Sequence, residues 1–244
     1  MRPVEKVDDL LPIKTAFISV YDKTGLGALV MALILHFPNI KIISTGGTYG
    51  IIKKMLGEDK AAINLVEVSE YTGQPEAEGG LVKSLHHKLF LGYLTETYCE
   101  AHQADLKREN AVPVDLVVIN LYPFQKVVVG DPSFEEARGN IDVGGPSALR
   151  AAAKNFLRVM TLTDPLDYIS FSHDLIFLQS QTSLSQRFIA ASKTFKILGE
   201  YDTAIAKYFA RARYAADLEK CYQIASDPEH LEYSGETEEE DLKE

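Results

Sequence analysis

One short segment in the second half of the chain combines an acid, a flexible turn and the start of a helix. The run D-V-G-G-P at residues 142–146 leads into an alanine-rich stretch that ends at Lys154. A proline suits the first turn of a helix, because the N–H that it lacks has no partner there. The glycines let the backbone approach a ligand closely, and the free N–H groups of a helix start can hold an anion or a developing oxyanion. Asp142 adds an acid or base beside them, although an ordinary glycine turn before a helix has the same pattern.

A second polar cluster has the residue types of an anion cradle. The run S-T-G-G-T at residues 44–48 lies between an apolar run and a helical pattern, and Lys23 follows another apolar run. Small residues, hydroxyls and successive N–H groups can enclose a phosphate. The run has neither the lysine and spacing of a Walker loop nor the G-x-G-x-x-G pattern. A plain turn and a surface lysine are the alternatives.

Two further side chains are candidates for chemistry. Lys83 lies in a region rich in glycine and carboxylates, where it could balance charge or transfer a proton, or remain a solvated surface group. Tyr122 stands between Asn120 and Pro123, so the chain leaves its strand sharply there. Its ring or hydroxyl could lie over a ligand, or it could be an ordinary core tyrosine. His86 and His87 are adjacent, their side chains diverge, and we therefore predict no metal site.

The elements that must position these residues alternate between strands and helices. Apolar runs predict strands at residues 14–20, 40–43, 64–68, 115–119 and 158–163, and helical spacing predicts helices at 26–37 and from about 48 to 56. Such alternation predicts right-handed βαβ units and a doubly wound, mostly parallel sheet. Three polar clusters, at residues 19–23, 44–48 and 120–124, each follow a strand directly, so all three are expected at the ligand-binding edge of the sheet.

The end of the chain differs from its body. Residues 185–225 carry apolar and aromatic residues at helical spacing, which predicts one or two long helices, interrupted near Gly199, that pack over the sheet or against a second subunit. Residues 227–244 hold nine acidic residues and one lysine, and we predict a disordered acidic tail. Residues 1–13 are predicted to be an N-terminal extension.

Composition excludes several classes of protein. The net charge is −10, but without the acidic tail it is only −2, so no basic footprint for nucleic acid exists. No apolar run approaches the length of a membrane span, and the first residues do not form a secretory signal. Cys99 and Cys221 have neither metal-ligand spacing nor the density of a disulfide scaffold. These features predict a cytoplasmic protein without nucleic-acid or membrane partners.

Six runs, in order along the chain, resemble one known family. They lie at residues 18–26 (I-S-V-Y-D-K-T-G-L), 44–48, 66–73 (V-E-V-S-E-Y-T-G), 120–124 (N-L-Y-P-F), 141–145 (I-D-V-G-G) and 150–155 (R-A-A-A-K-N). Together they resemble the IMP cyclohydrolase domain of the bifunctional enzyme that also carries AICAR formyltransferase. The resemblance covers about residues 14–210. It implies a methylglyoxal-synthase-like fold, a three-layer α/β/α sandwich with C-terminal helices, for a domain assigned to residues 14–226.

The same resemblance implies an activity and a set of site residues. The family closes the formylated AICAR ribonucleotide into IMP with loss of water, without cofactor or metal. By resemblance, Asp142 and Lys154 are the main catalytic pair, with Lys83 and Tyr122 assisting. The positions that match the family's substrate-binding residues are Tyr21, Asp22, Lys23, Ser44, Thr45, Gly46, Gly47, Leu81, Val82, Ser84, Ile119, Asn120, Val143 and Gly144. A homodimer is implied, and a separate AICAR transformylase is a possible partner, because transformylase activity is expected to be absent.

Two features keep other readings open. Leu81 stands where the family pattern has an arginine, which motivates a nucleotide-sensing or partner-binding module that has lost catalysis. A methylglyoxal-synthase-type lyase or ligand-binding domain is a third possibility, although the runs at 120–124 and 142–145 favour the cyclohydrolase. A continuous helix over residues 146–154 would span about 13 Å, so Asp142 and Lys154 would meet only if the helix ends early, is approached from its side, or borders a subunit interface.

Overall fold

The computed structural model describes residues 4–75, 82 and 84–223, and its centre is a parallel sheet. The strands of the chain are β1 (Leu10–Leu11), β2 (Thr15–Val20), β3 (Lys41–Ser44), β4 (Leu65–Glu67), β5 (Leu116–Asn120), β6 (Met160–Leu162) and β7 (Thr182–Ser183). Five of them form the sheet in the order β4-β3-β2-β5-β6, and every neighbouring pair is parallel. The five predicted strands are therefore confirmed.

Helices cover both faces of this sheet. They are α1 (Leu26–His36), α2 (Gly46–Asn64), α3 (Val68–Thr72), α4 (His87–Leu94), α5 (Glu100–Arg108), α6 (Phe124–Val129), α7 (Phe134–Gly139), α8 (Gly144–Lys154), α9 (Asp167–Phe177) and α10 (Leu184–Phe209), followed by a π-helical turn at Tyr214–Leu218. Alternate strand residues point to opposite faces, so Ile18 joins the core beneath α1, α2 and α9, and Phe17 joins the core beneath α4, α8 and α10. The predicted three-layer α/β/α sandwich is confirmed.

Two glycines affect their helices differently. The α2 segment changes direction at Gly57, whose φ of 72° is left-handed, and this kink follows the predicted helix end at about residue 56. The predicted interruption near Gly199 is wrong, because α10 runs through it as one helix. A glycine inside a helix costs about 1 kcal/mol relative to alanine. Burial of the neighbouring Leu198 and Tyr201 outweighs that cost.

The start of the described chain is attached to the body by α10. Strand β1 pairs with β7 in a small antiparallel sheet. The fully buried Arg187 donates hydrogen bonds to backbone carbonyls of five residues: Asp8, Asp9, Phe156, Leu157 and Thr182. This guanidinium therefore joins the predicted N-terminal extension to the loop before β6 and to β7. The predicted acidic tail lies outside the described residues. None of the described helices is both long and apolar enough to cross a membrane.

A buried ion pair lies at the amino ends of the strands, opposite the edge where the site is predicted. Arg158 donates to Asp115 over 3.0 Å and also to the carbonyls of Thr95 and Val114. Asp115 accepts two further bonds, from the backbone N–H groups of residues 14 and 15. Burial raises the pKa of Asp115, and Arg158 opposes that rise. The pair is thus a fully partnered charge cluster that locks β2, β5 and the loop before β6.

Replacing Arg158 by leucine is expected to lower the free energy of unfolding by about 3–5 kcal/mol, because it leaves a buried carboxylate without its counter-charge. Urea denaturation would measure the change. The matched control is Arg108→Leu, which breaks an exposed pair with Asp105 and should cost less than about 1 kcal/mol. Equal effects of the two substitutions would contradict the structural role given to Arg158.

Candidate functional site

The strand order reverses between β2 and β5. From β2 the chain proceeds through α1 to β3 on one side, whereas β5 and β6 lie on the other. In open parallel sheets, ligands bind beyond the carboxyl ends of the strands at such a reversal. Val20, the last residue of β2, is paired with Asn120, the last residue of β5. The residues that follow these two strands therefore meet at the place where the topology favours a ligand.

Asn120 joins the two strand ends through its side chain. Its Oδ1 accepts hydrogen bonds from the backbone N–H groups of Tyr21 and Asp22, at 2.7 and 2.8 Å. Its Nδ2 donates to the Asp22 carbonyl over 2.9 Å. Both ends of one amide thus fix the loop after β2. Asn120 acts here by shaping the backbone, and Asp22 and Tyr21 are brought to the same edge as predicted.

The anion cradle lies beside this loop, at the start of α2. Thr45 is the residue before the helix, and its hydroxyl shares a 2.7 Å hydrogen bond with Ser19. The helix begins with Gly46 and Gly47, whose N–H groups have no carbonyl of their own helix to bind. Ser44 is different: its hydroxyl is fully buried and donates to the Ile18 carbonyl. The side chain of Ser44 therefore supports the cradle from inside the sheet.

Two charged residues after β2 are held by backbone groups. The Lys23 ammonium donates to the carbonyls of Val20 and Tyr21, and burial lowers its pKa. The Asp22 carboxylate accepts from the Thr24 N–H over 2.8 Å, and the hydrogen bonds from Thr24 lower its pKa. Both side chains thus stabilise the turn. Lys23, three residues after the end of β2, supplies a positive charge to this turn.

Asp142 lies just before α8, and its carboxyl is held by the turn that follows it. Its Oδ1 accepts from the Gly145 N–H over 2.9 Å. Burial raises the pKa of Asp142, and backbone hydrogen bonds from Gly145, Tyr122 and Gly144 partly offset that rise. A Cβ on Gly145 would lie 2.5 Å from the Asp142 Oδ2, so only glycine leaves room for the carboxyl. The backbone N–H of Asp142 donates to the Tyr201 hydroxyl over 2.8 Å.

Two aromatic rings lie together at the ends of β2 and β5. Tyr21 and Tyr122 meet edge to face, with ring centroids 5.2 Å apart. They are 54% and 50% exposed, so both rings lie partly in solvent at this edge. Such half-exposed rings offer a face to a planar ligand. Tyr122 thus lies at the ligand-binding edge of the sheet with its ring partly exposed.

The other predicted residues fall into three groups. Val143 and Val82 are exposed, and Ser84 lies near the glycine turn, because a Cβ on Gly144 would meet the Ser84 Oγ at 2.9 Å. Ile119 is buried in the core, so only its backbone can face a ligand. Leu81 and Lys83 lie outside the described residues.

Lys154 is separated from this group. It is the last residue of α8 and its side chain is exposed. Because α8 contains 11 residues, the helix is about 16 Å long, and Asp142 and Lys154 lie at its two ends. The described residues of one protomer therefore do not bring the predicted catalytic pair together.

One group of side chains has the composition of a metal site. Glu96, Cys99 and His102 place potential ligand atoms within 4.8 Å of one another. However, the His102 Nδ1 already accepts a hydrogen bond from the Glu96 N–H over 3.2 Å. A metal bound through the imidazole would have to displace that bond, so the contact is better explained as support for the loop before α5.

Tyr201 is the residue that sequence reasoning missed. The sequence suggested only that its ring packs from a long helix, and the structure confirms that packing. Nothing in the local pattern shows that its hydroxyl meets a residue 59 positions earlier. A tyrosine on the buried face of a helix is nevertheless a signal, because a buried hydroxyl normally finds a hydrogen-bond partner.

Comparison with known proteins identifies the family and agrees with the fold. The family model of the MGS-like domain matches residues 27–147, and the model of the AICARFT/IMPCHase bienzyme matches residues 152–240. The chain belongs to the AICARFT/IMPCHase bienzyme family. The match to the MGS-like model also agrees with the sandwich described above.

The curated relatives of this family member are bifunctional purine biosynthesis proteins PurH. The protein from Leptospira biflexa is 42% identical over 201 residues, which cover 82% of this chain and 38% of the relative. The protein from Xanthomonas euvesicatoria is 39% identical over 203 residues, covering 83% and 37%. The chain thus spans less than two fifths of these relatives. Among solved structures, the crystal structure of ForH superposes with a TM-score of 0.66 at 29% identity, covering 81% of this chain and 99% of that one.

Proposed function

We propose that the chain is an IMP cyclohydrolase, which closes 5-formamido-imidazole-4-carboxamide ribonucleotide into IMP with loss of water. The observation that carries the proposal is the Asp142 carboxyl. It is partly buried at a helix start beside the switch point, and this burial raises its pKa. A raised pKa brings a carboxylate nearer to the range in which a base both stays ionised and accepts a proton readily. The proposal requires neither a metal nor a cofactor.

The edge of the sheet offers complementary partners for each part of such a nucleotide. The phosphate would bind at the start of α2, where the glycine N–H groups and the Thr45 hydroxyl lie together. The imidazole would lie against the rings of Tyr21 and Tyr122, on the way from the cradle to Asp142. The proposed binding residues thus follow three different strands and share one edge.

The reaction is a balanced intramolecular condensation. The carboxamide nitrogen attacks the formyl carbon, so that a C–N bond forms and the formyl oxygen becomes an oxyanion. The nitrogen gives one of its protons to Asp142, and the oxyanion is protonated to a hydroxyl. A second proton lets this oxygen leave as water, while the former formamide nitrogen loses its proton and the C=N double bond of the ring forms. Because both reacting groups belong to one substrate, the protein mainly has to orient them and move protons.

The N–H groups of the glycine turn already bind the Asp142 carboxylate, so we expect other donors to stabilise the oxyanion. The N–H of Gly145 already donates to the Asp142 carboxylate, and the N–H of Gly144 also stabilises it. These donors therefore keep the base in place. The oxyanion would then be stabilised by ammonium groups, for which Lys83 and Lys154 are the proposed residues.

One observation favours a second candidate, a purine-nucleotide-binding or partner-binding module with impaired catalysis. In one protomer Lys154 lies at the far end of α8 from Asp142. If no other cation reaches the formyl oxygen, the site would bind the nucleotide without closing its ring.

We also propose that the protein is a cytoplasmic homodimer that receives its substrate from a separate AICAR transformylase. Support for the dimer comes from apolar side chains that are exposed on α9 and α10: Ile169, Ile176, Phe177, Phe188 and Ile189. Exposed apolar groups of this number commonly mark an interface between subunits.

Purified protein mixed with formylated AICAR ribonucleotide is expected to form IMP, followed by ultraviolet absorbance. The buffer rate and the rate with heat-unfolded protein serve as controls. Binding of IMP, measured by calorimetry, separates the two candidates when turnover is absent. Tight binding without turnover would replace the cyclohydrolase by the binding module, and failure of both would reject the two proposals together.

A further inference from the structure

A tyrosine outside the predicted site reaches its central residue from another helix. Tyr201 belongs to α10 and is 5% exposed, and its hydroxyl accepts the backbone N–H of Asp142 over 2.8 Å. The carboxyl of the same residue is held on its other side by Gly145. The carboxyl of Asp142 is therefore held by backbone N–H groups, and its own N–H is held by a side chain of α10.

The ring of Tyr201 packs against the segment that follows Tyr122. It packs edge to face on Phe124, with ring centroids 6.2 Å apart, and Ala137 of α7 completes the cluster. Phe124 follows Tyr122 by two residues and begins α6. One side chain on α10 thus contacts the segment after β5 by its ring and the turn before α8 by its hydroxyl.

We propose that Tyr201 is a positioning residue. By binding the backbone N–H of Asp142, it keeps the Asp142 carboxyl partly buried at the start of α8, where the carboxyl can act as the base. This inference rests on the proposed function and adds to it a residue that does not touch the substrate. It explains why a helix remote in sequence belongs to the site. In this proposal α10 both covers the sheet and positions Asp142.

The backbone N–H of Asp142 has no acceptor other than the Tyr201 hydroxyl among the described residues. Without the Tyr201 hydroxyl, the Asp142 N–H would be partly buried and unpaired, which is costly. The turn would recover a partner by moving outward, where water can reach it. Because burial is the leading cause that raises the pKa of Asp142, outward movement lowers that pKa.

Among the described residues, few other ionisable groups surround this turn. Tyr122 and Tyr201 face it from the neighbouring elements, and Asp202 follows Tyr201 on α10. Asp202 is paired with Arg150 of α8 over 2.5 Å, so its charge is matched. A change in the Asp142 titration after removal of one hydroxyl would therefore report the position of the turn.

The test compares Tyr201→Phe with Tyr208→Phe. Tyr208 lies two turns further along α10 and packs on the same Phe124 ring, but its hydroxyl makes no hydrogen bond within the described part of the chain. In Tyr201→Phe, kcat for IMP formation should fall about tenfold with little change in KM, since the lost bond orients a reacting group. The acidic limb of its pH profile should move to lower pH. Tyr208→Phe should match the wild type in both.

Two measurements decide the inference without turnover. Carbon-13 NMR of the carboxyl groups should show a lower pKa for Asp142 in Tyr201→Phe than in the wild type or in Tyr208→Phe. Hydrogen exchange in the wild type should show a protected Asp142 amide. An unchanged pKa, or rapid exchange in the wild type, would overturn the positioning role. A wild type that titrates as expected but forms no IMP would sink the cyclohydrolase proposal alone.

Discussion

Replacement of Asp142 by asparagine is expected to slow IMP formation by about 10²–10⁴-fold, the usual contribution of a positioned acid or base. The amide oxygen of asparagine can still accept the N–H of Gly145, so the turn should persist. The amide cannot take the proton that the attacking nitrogen must lose. Initial rates of the two proteins at saturating substrate measure the effect, and wild-type turnover by the variant would remove Asp142 from the mechanism.

The same substitution is expected to leave the melting temperature at pH 7 equal or higher. Burial raises the pKa of Asp142 in the folded state above its unfolded value. A carboxyl of this kind costs stability once the pH exceeds its folded pKa, and the cost disappears below the unfolded pKa. Asparagine carries no charge and avoids the cost, so the advantage of the variant should shrink as the pH falls. Thermal unfolding at neutral and acidic pH would show the trend, and a large loss of stability at pH 7 would contradict it.

Replacement of Lys154 by methionine is expected to abolish detectable turnover, since this lysine is one of two proposed donors to the leaving oxygen. Methionine keeps an unbranched side chain with good helix propensity, so α8 should remain intact. Because the side chain is exposed, the melting temperature should change little. IMP formation and circular dichroism measure the two effects, and an active variant would exclude Lys154 from the reaction.

The position of Lys154 gives this prediction a sharper form. Asp142 lies just before α8 and Lys154 ends it, so about 16 Å of helix separates them. A single substrate would reach both residues if the lysine came from a second copy. Mixed dimers of Asp142→Asn and Lys154→Met would then contain one intact site. An equal mixture of the two inactive proteins should recover about a quarter of wild-type activity when subunits of a symmetric dimer exchange freely. Failure to recover, with exchange verified, would place the lysine in the site of its own subunit.

The strands of the sheet can be predicted from the sequence because their residues are almost all apolar and polar residues follow them. The run at β5 is apolar on both faces, as a central parallel strand requires, and the residues that follow β2 and β5 are polar. Chain order then places those polar residues at one edge without further information. The short helices α4 to α7 were not predicted, since each is too brief for its periodicity to be distinguished from a loop.

Site residues were harder to predict because residue type does not reveal the partner of a side chain. Ser44 and Asn120 are predicted as ligand contacts, and residue type alone does not show that their polar side-chain atoms bind backbone groups of the loop and sheet. Tyr201 was interpreted as helix packing, and its hydroxyl contact depends on how α10 crosses α8. At Gly199 a local rule failed, because the burial of flanking residues overcame a weak backbone preference. Tertiary contacts therefore decided each difference.

The pairing of β2 with β5 also sets the order of events when the chain folds. Asn120 meets the loop after β2 across about 98 residues, so this contact closes one of the long loops of the fold. Contacts between distant parts of a chain form slowly, because closing the loop costs entropy before the contacts stabilise the fold. During synthesis, the proposed ligand-binding edge cannot be assembled until residue 120 has left the ribosome and paired with β2. Ligand binding would therefore report a late step of folding, and a nucleotide analogue would serve as a probe for the first native molecules.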